Sequence, residues 1–375
     1  MARRPRFKVL VVDDSAYNRR AIAEILEGIP EAEIVGKAAD GQEALQIALV
    51  ERPDVITLDL EMPRMDGFAF LRLLMSAQPT PVIVISAYAE KENVFRALEL
   101  GALDFVAKPT HKISPEIYDI REEVLRKVRL AADVGPHSLH RLQSYLPTEL
   151  SPTGGYPIVV KERVAAYAPG QEPAADRIVV VAASTGGPAT LTRILSALPA
   201  DLDAGIAVAQ HMPPRFTTTF SERLCRQCAL RVTELVAIDV LRRGTVYIAP
   251  GDHNIEVAAA AHGALIKAVR PSPKDKYVPS GDHLFRSAAR VLHKNVLGVV
   301  LTGMGDDGAA GAVAVSGEGG EIVVESRETA VVDGMPSAAL RTGVAATELS
   351  AERIVQEIVQ FARGTGVPLS ARTDR

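Results

Sequence analysis

A strand-like run of apolar residues ends at Ser184 in the stretch VVVAASTGGP, which spans residues 179–188. The hydroxyl of Ser184 has three candidate uses: a nucleophile, a phosphate ligand or the N-cap of a following helix. Thr185 offers a second capping hydroxyl, and Pro188 suits the first turn of a helix. The stretch alone leaves the three interpretations open.

Polar residues also follow apolar runs in the first third of the chain, at positions where strands are predicted to end. They are Asp13, Asp14, Asp59, Ser86 and Lys108. Carboxylates held close together repel one another unless a cation lies among them, and hard oxygen ligands favour Mg²⁺. In that setting Asp59 can attack a phosphoryl donor, while Mg²⁺, Ser86 and Lys108 neutralise charge on the transferred oxygens. The set predicts phosphoryl transfer to Asp59.

The elements that must position these residues are indicated by apolar runs of strand length, which alternate with segments of helical period. Strands are predicted at residues 7–12, 33–36, 55–58, 82–85 and 103–106, and again at residues 177–183, 204–210, 245–249 and 296–302. This alternation is typical of α/β proteins with doubly wound parallel sheets, whose strands all end at one edge where ligands bind. Two such domains are predicted, joined by a proline-rich linker.

The edge of the second sheet is expected to bring a hydroxyl, an imidazole and a carboxylate together. Ser184 and His211 each follow a predicted strand, and Asp307 lies in the loop GMGDDG after another. An imidazole beside Ser184 can take its proton during attack on an acyl group, and a carboxylate behind the imidazole fixes its tautomer. The order serine, histidine, aspartate differs from that of ordinary α/β-hydrolases. A dinucleotide site is disfavoured, because the second strand does not end in an acidic residue for the ribose.

The composition argues against several functional classes. The 375 residues carry 46 acidic and 42 basic side chains, so there is no excess of positive charge for nucleic acid. No apolar stretch approaches the roughly 20 residues of a membrane-spanning helix, and the amino-terminal run is too short for a signal peptide. We therefore expect a cytoplasmic protein without nucleic-acid partners or membrane insertion. Cys225 with Cys228, and His137 with His140, are each only half of a metal site.

The motifs VVDDS, LDLEMPRMDG, VISAYA and DFVAKP resemble those of response-regulator receiver domains, over about residues 5–124. The resemblance implies a flavodoxin-like fold, phosphorylation by a partner histidine kinase, and a switch in which Ser86 and Phe105 move. The bond between Lys108 and Pro109 is usually cis in this family, which proline permits at small cost. The implied phosphorylation site is Asp59, and the implied Mg²⁺ ligands are Asp14, Asp59 and the backbone carbonyl of Glu61, with Asp13 nearby.

The motifs AASTGGP, AQHMPPRFT, YIAPGDHN, DHLFRSAA, LTGMGDDG and AVVDGMP resemble the catalytic domain of bacterial chemotaxis protein-glutamate methylesterases. Members of that family join this domain to an amino-terminal receiver, so the resemblance spans both parts of the chain. It implies Ser184 as the nucleophile, His211 as the base and Asp307 as the carboxylate, with Asp306 at a variable position. One departure is Ala182, where the family usually has glycine.

The second resemblance also implies an activity: hydrolysis of γ-glutamyl methyl esters on chemoreceptors, and deamidation of receptor glutamines, with no cofactor for the hydrolysis. The expected domains are a receiver at residues 5–124, a linker at residues 125–176 and a Rossmann-like methylesterase domain at residues 177–366. Backbone N–H groups near Thr185 and Met304 are candidates for the oxyanion hole, because both residues lie in glycine-flanked turns.

The order of the two domains suggests a means of control. If the unphosphorylated receiver covers the Ser184 edge, phosphorylation of Asp59 need only shift a two-state equilibrium to uncover it. Two alternatives stay open at this point: a non-enzymatic signalling adaptor in which Ser184 only caps a helix, and an enzyme of similar fold with another ester or amide substrate.

Overall fold

A computed structural model describes residues 6–87, 91–108, 120–134, 172–261 and 263–364. The chain divides into two compact units, Met1–Thr148 and Glu149–Arg375. Pro109, and with it the expected cis bond, lies outside the described residues, as do His137 and His140 and most of the expected linker. Within the described ranges, no helix combines the length and the apolar character needed to cross a membrane.

The first unit contains a five-stranded sheet in which neighbouring strands are parallel. Its elements are β1 Phe7–Val12, α1 Ala16–Leu26, β2 Ala32–Ala38, α2 Gly41–Glu51, β3 Val55–Leu58, α3 Gly67–Ala77, β4 Val82–Ala87, α4 Lys91–Glu99, β5 Asp104–Lys108 and α5 Arg121–Ala132. The strand order is β2-β1-β3-β4-β5. Because the winding direction reverses between β1 and β3, the residues that follow these two strands border the ligand-binding crevice.

Three helices of the first unit begin at acidic or hydroxyl caps. Ser15, Asp40 and Asp66 each accept a hydrogen bond from a backbone N–H in the first turn of α1, α2 and α3. The last helix, α5, continues past residue 124, the expected end of the receiver, and buries Val128 and Ala131 completely. The packing of the first unit therefore includes at least one further turn of helix.

The second unit contains a seven-stranded parallel sheet in the order β15-β14-β13-β6-β7-β10-β8. Its elements are β6 Ile178–Ala183, α6 Gly187–Ala197, β7 Gly205–Gln210, α7 Phe216–Gln227, β8 Arg231–Glu234, β9 Ile238–Val240, β10 Thr245–Ile248, β11 Asn254–Ala259, β12 Ala264–Val269, α8 Gly281–Leu292, β13 Val296–Val300, α9 Ala309–Gly317, β14 Glu321–Glu325, α10 Gly334–Leu340, β15 Ala346–Leu349 and α11 Ala351–Arg363. The first strand of the unit, β6, lies between β13 and β7. The winding direction reverses there, so the end of β6 opens onto the crevice.

The central strands of this sheet are apolar because both faces are covered. All six residues of β6 and all six of β7 are buried, as is typical of a parallel sheet between two helical layers. The predicted α/β class with two doubly wound parallel sheets is confirmed.

A small antiparallel sheet was not predicted. It has the order β11-β12-β9, and α8 packs against both β11 and the central strand β6. Its inward residues Ile255, Val257 and Ile266 join the same core cluster as Phe285 of α8. This arrangement fixes the amino terminus of α8 at the edge of the main sheet, where Ser184 also lies.

Candidate functional site

The first unit gathers three carboxylates at the ends of β1 and β3. Single oxygens of Asp13, Asp14 and Asp59 all lie within 4.8 Å of one another, and this is the one such metal-competent cluster among the described residues. Asp13 is buried, Asp59 is largely buried and Asp14 is exposed. Hard carboxylate oxygens at this spacing suit Mg²⁺, so the donor set fits the implied ion.

Lys108 reaches into this cluster from the end of β5. Its Nζ donates to Asp13 Oδ2 at 2.8 Å and to Asp59 Oδ2 at 2.7 Å. Burial raises the pKa of Asp59 to about 6; the Lys108 ammonium opposes this shift and the charge of Asp13 adds to it. One lysine is thus shared between two carboxylates, which leaves the cluster short of positive charge.

The remaining residues predicted for this site lie around the same strand ends. Ser86 is fully buried on β4, opposite Ala107 of β5, and Phe105 is 2% exposed. Glu61 is exposed two residues after Asp59. Its backbone carbonyl as a metal ligand, and movement of Ser86 and Phe105, stay predictions.

The turn after β6 tests one of the three interpretations of the Ser184 hydroxyl, that of a helix cap. The N-cap residue of α6 is Gly186, at a φ of 79°. Neither Ser184 nor Thr185 is therefore the N-cap, and the capping interpretation is wrong. Ser184 instead follows β6 directly, 5% exposed, with its backbone N–H bonded to the carbonyl of Thr302 at 3.0 Å.

His211 stands at the equivalent point of the neighbouring strand. The register of β6 with β7 pairs Ala183 with Gln210, and the His211 N–H donates to the carbonyl of Ala183 at 2.9 Å. The imidazole Nε2 lies 2.8 Å from Asp307 Oδ2. With Nε2 directed at this carboxylate, Nδ1 is the nitrogen left for proton transfer, and the tautomer with the proton on Nε2 fits that arrangement.

Asp307 is held by the amino terminus of α8. The backbone N–H groups of Gly281 and Asp282 donate to its two oxygens at 2.7 and 2.9 Å, and the Ser280 hydroxyl donates to Oδ1 at 3.0 Å. Burial favours the neutral acid, but the hydrogen bonds from His211 and the helix N–H groups outweigh it and lower the pKa of Asp307. The carboxylate consequently stays charged in a buried position.

Side chains tie the Ser184 turn to its neighbours. The Gln210 amide donates to the carbonyls of Ser184 and His211, each at 3.0 Å. The Thr302 hydroxyl donates to the carbonyl of Thr185 at 3.0 Å and accepts from Val332 N–H at 2.9 Å. The loops after β6, β7 and β13 are therefore fixed relative to one another.

The oxyanion candidates lie on two of these loops. The carbonyl of Thr185 accepts a hydrogen bond from the Thr302 hydroxyl. Met304 follows Gly303, whose N–H donates to the Val332 carbonyl and whose carbonyl accepts from the Met335 N–H. Their backbone N–H groups as oxyanion donors stay a prediction.

The extra methyl of Ala182 is accommodated by glycines. Ala182 is fully buried, and its Cβ faces Gly281 at the start of α8 and Gly308 before α9. A Cβ added to Gly281 would stand 2.5 Å from it, and one added to Gly308 would stand 3.2 Å from it. The Ala182 methyl thus occupies space that the two facing glycines leave open.

Two parts of the site were missed by sequence reasoning. One is the amino terminus of α8, although Ser280 is a typical N-cap residue and Asp282 is an acidic residue in the first turn of this helix. The other is Tyr277, whose ring stacks on His211 with centroids 4.9 Å apart and planes 9° from parallel. Tyr277 lies in an irregular loop, where periodicity gives no signal.

Comparison with known proteins places this geometry in a family. Residues 179–358 match the family described as CheB methylesterase, and residues 9–114 match the response regulator receiver domain. A protein-glutamate methylesterase/protein-glutamine glutaminase 3 of Geobacter sulfurreducens is 45% identical over 360 residues, covering 95% of this chain and 97% of that protein. The chain belongs to the protein-glutamate methylesterase family. Both resemblances inferred from the motifs are confirmed.

A second relative agrees in extent and name, and one solved structure corresponds to the second unit. A protein-glutamate methylesterase/protein-glutamine glutaminase 1 of Myxococcus xanthus is 46% identical, covering 89% of this chain and 91% of that protein. The crystal structure of the Thermotoga maritima CheB methylesterase catalytic domain is 36% identical and covers 49% of this chain and 97% of its own, with a TM-score of 0.48.

Proposed function

We propose that this chain is a phosphorylation-regulated hydrolase that removes methyl esters from glutamate side chains of chemoreceptors and deamidates receptor glutamines. The observation that carries the proposal is the hydrogen bond between His211 and Asp307 at the strand edge that also holds Ser184. Full-length relatives of the family bear the names of both activities.

In the acyl-transfer step Ser184, His211 and Asp307 each have a separate role. Ser184 Oγ attacks the ester carbonyl while its proton passes to His211 Nδ1, and the charged Asp307 stabilises the imidazolium that forms. Backbone N–H groups of Thr185 and Met304 are assigned to the oxyanion. The proton then moves from His211 to the departing methoxide, which leaves as methanol.

The second half-reaction reverses these roles. A water molecule attacks the acyl-serine, His211 accepts its proton, and the proton returns to Ser184 Oγ as the glutamate product departs. A glutamine side chain follows the same course with ammonia as the leaving group. None of these steps needs a group beyond the chain's own residues and water.

Control is assigned to the first unit. Asp59 is the acceptor of a phosphoryl group from a partner histidine kinase, and Asp13, Asp14, Asp59 and the Glu61 carbonyl would hold Mg²⁺. This ion would supply positive charge beside the transferred oxygens. Lys108 donates to Asp59 before transfer and, with Ser86, binds the phosphoryl oxygens after it. Phosphorylation then raises methylesterase activity in the second unit.

Methanol release from a methylated chemoreceptor cytoplasmic fragment tests the proposal, with Mg²⁺ and a small-molecule phosphodonor present. Loss of a triad nucleophile costs about a million-fold in turnover, so Ser184→Ala should not exceed background. Ser196→Ala, on the helix that follows, is the matched control and should retain wild-type release. Equal release by wild type and Ser184→Ala would refute Ser184 as nucleophile, and no release by wild type would refute the substrate.

A further inference from the structure

The catalytic imidazole has a neighbour that the acyl-transfer scheme does not use. The ring of Tyr277 covers one face of His211, with centroids 4.9 Å apart and an interplanar angle of 9°. Aromatic rings at this separation and angle adopt an offset stack rather than a chance contact. The His211 side chain is 16% exposed, so its part of the stack is largely buried, whereas the Lys276 and Asp306 side chains beyond Tyr277 are exposed.

The Tyr277 ring is itself held in place by an ion pair. Its hydroxyl donates to Asp306 Oδ1 at 2.9 Å, and the same oxygen accepts from Lys276 Nζ at 2.7 Å. Hydrogen bonds from Lys276 and Tyr277 lower the pKa of Asp306, so this carboxylate is charged at neutral pH. Gly305, at a φ of 97°, makes room, because a Cβ there would clash with the phenolic oxygen.

The two consecutive aspartates of GMGDDG therefore act on one imidazole from different directions. Asp307 contacts Nε2 at the edge of the ring, and Asp306 orients the tyrosine that covers the face of the ring.

We propose that Tyr277 is a positioning residue that restricts rotation of the His211 ring and stabilises its protonated form, and that Asp306 holds Tyr277 for this purpose. The proposal rests on the proposed function. An aromatic face attracts a cation more strongly than a neutral ring, so the stack strengthens as His211 takes the Ser184 proton. An interaction that is stronger in the transition state than in the ground state raises kcat.

The hydrogen bond to a charged carboxylate supports this role. Donation from the Tyr277 hydroxyl to Asp306 shifts electron density onto the phenol ring and makes its face more attractive to an imidazolium. No bond to Tyr277 forms or breaks: the proton moves only from Ser184 Oγ to His211 and then to the leaving group. Lys276 limits the effect, since its Nζ also lies 4.9 Å from the Tyr277 ring centroid.

Three substitutions in the full-length protein separate the contributions, with tritiated methanol release from a methylated chemoreceptor cytoplasmic fragment as the assay. Tyr277→Leu removes the aromatic face, and we expect kcat to fall about tenfold with KM unchanged. Tyr277→Phe keeps the face and should recover most of this loss. Asp306→Asn keeps the shape but removes the charge, and should cost roughly threefold. Lys274→Ala, on the same loop but exposed, is the control and should match wild type.

The pH profile distinguishes positioning from mere loop support. Because the ring face favours the protonated base, its removal should move the acid limb of kcat/KM to lower pH in Tyr277→Leu and only slightly in Tyr277→Phe. Wild-type kcat in Tyr277→Leu, or an equal loss in the Leu and Phe variants with an unmoved acid limb, would overturn the inference. Both outcomes can be read only if the wild-type protein releases methanol and Ser184→Ala does not. If the wild-type protein releases no methanol, the proposed function is overturned as well.

Discussion

Each of the two candidate sites has a buried carboxylate at the edge of a parallel sheet, but the pKa values of the two carboxylates are shifted in opposite directions. Burial raises the pKa of Asp59 to about 6, although Lys108 opposes it. Burial acts in the same direction on Asp307, yet hydrogen bonds from His211 and the start of α8 lower its pKa. Asp59 accepts one backbone N–H and shares a lysine with Asp13, whereas Asp307 accepts two backbone N–H groups and one hydroxyl from the start of α8. The supply of donors, more than the depth of burial, decides which carboxylate stays charged.

This difference matches the two chemistries. A carboxylate that accepts a phosphoryl group needs a cation nearby, and a cluster short of positive charge has room for one. A carboxylate that orients a histidine must stay charged through every turnover without exchanging ligands, and backbone N–H groups provide that permanently. The same fold rule thus serves a switch in one unit and catalysis in the other.

Among the carboxylates compared here, removal of the Asp307 charge should have the largest effect. Asp307→Asn keeps the size of the side chain, but the amide cannot both accept from the α8 N–H groups and stabilise a protonated His211. We expect kcat for methyl-ester hydrolysis to fall about 10⁴-fold. Asp306→Asn is the adjacent control and should lose only roughly threefold. If kcat fell by a similar factor in both variants, the carboxylate bonded to the start of α8 would not differ in function from its neighbour.

Glu325 is a third buried carboxylate, and the hydrogen bond described for it comes from a loop N–H and not from the start of a helix. It lies at the end of β14 and accepts from Thr302 N–H at 2.8 Å, and burial raises its pKa to about 7 from 4.5. The folded protein therefore binds this proton where the unfolded chain has lost it, so its ionisation costs stability as pH rises from about 4.5 to about 7.

Glu325→Gln should remove that pH dependence. Relative to wild type, we expect its free energy of unfolding to gain about 2 to 3 kcal/mol between pH 4.5 and pH 7.5, since each pKa unit corresponds to about 1.4 kcal/mol. Urea unfolding followed by hydrogen exchange in residues 296–325 measures the second unit by itself. Glu328→Gln, an exposed residue of the next loop, should follow wild type at every pH. A constant difference between Glu325→Gln and wild type would mean that the pKa of Glu325 is the same in the folded and unfolded states.

Loss of the phosphoryl acceptor should abolish stimulation. A coupling free energy of about 1 to 3 kcal/mol corresponds to a 5- to 150-fold rise in activity, and Asp59→Asn should show no rise with Mg²⁺ and phosphodonor. Methanol release with and without the phosphodonor gives the ratio directly. Asp66→Asn is a suitable control because asparagine caps a helix as well as aspartate does. Stimulation that survives in Asp59→Asn would move the acceptor elsewhere.

The sequence predicted the strand ends better than the contacts made there. Long apolar runs such as β6 and β7 determine a parallel sheet, and the edge rule then groups Ser184, His211 and Asp307. The cap of α6 was not predictable in the same way, because the left-handed conformation of Gly186 decided it. Tyr277 and the α8 amino terminus reach the site from a loop and a helix whose positions depend on packing against the unpredicted antiparallel sheet. Such long-range contacts have no local periodic signature.

The smallest predicted effect concerns the space shared by Ala182 and Gly281. The start of α8 donates to Asp307 only because Gly281 can approach the Ala182 methyl, and a Cβ on Gly281 would stand 2.5 Å from that methyl. Gly281→Ala should therefore overpack the contact and cost about 1 to 3 kcal/mol of stability. Ala182→Gly removes the opposing methyl. The double variant should be more stable than the sum of the single changes by roughly 1 kcal/mol, measured by thermal unfolding. Strict additivity would mean that helix α8 shifts away from the sheet instead, and Asp307 would then lose its donors without any change in its own side chain.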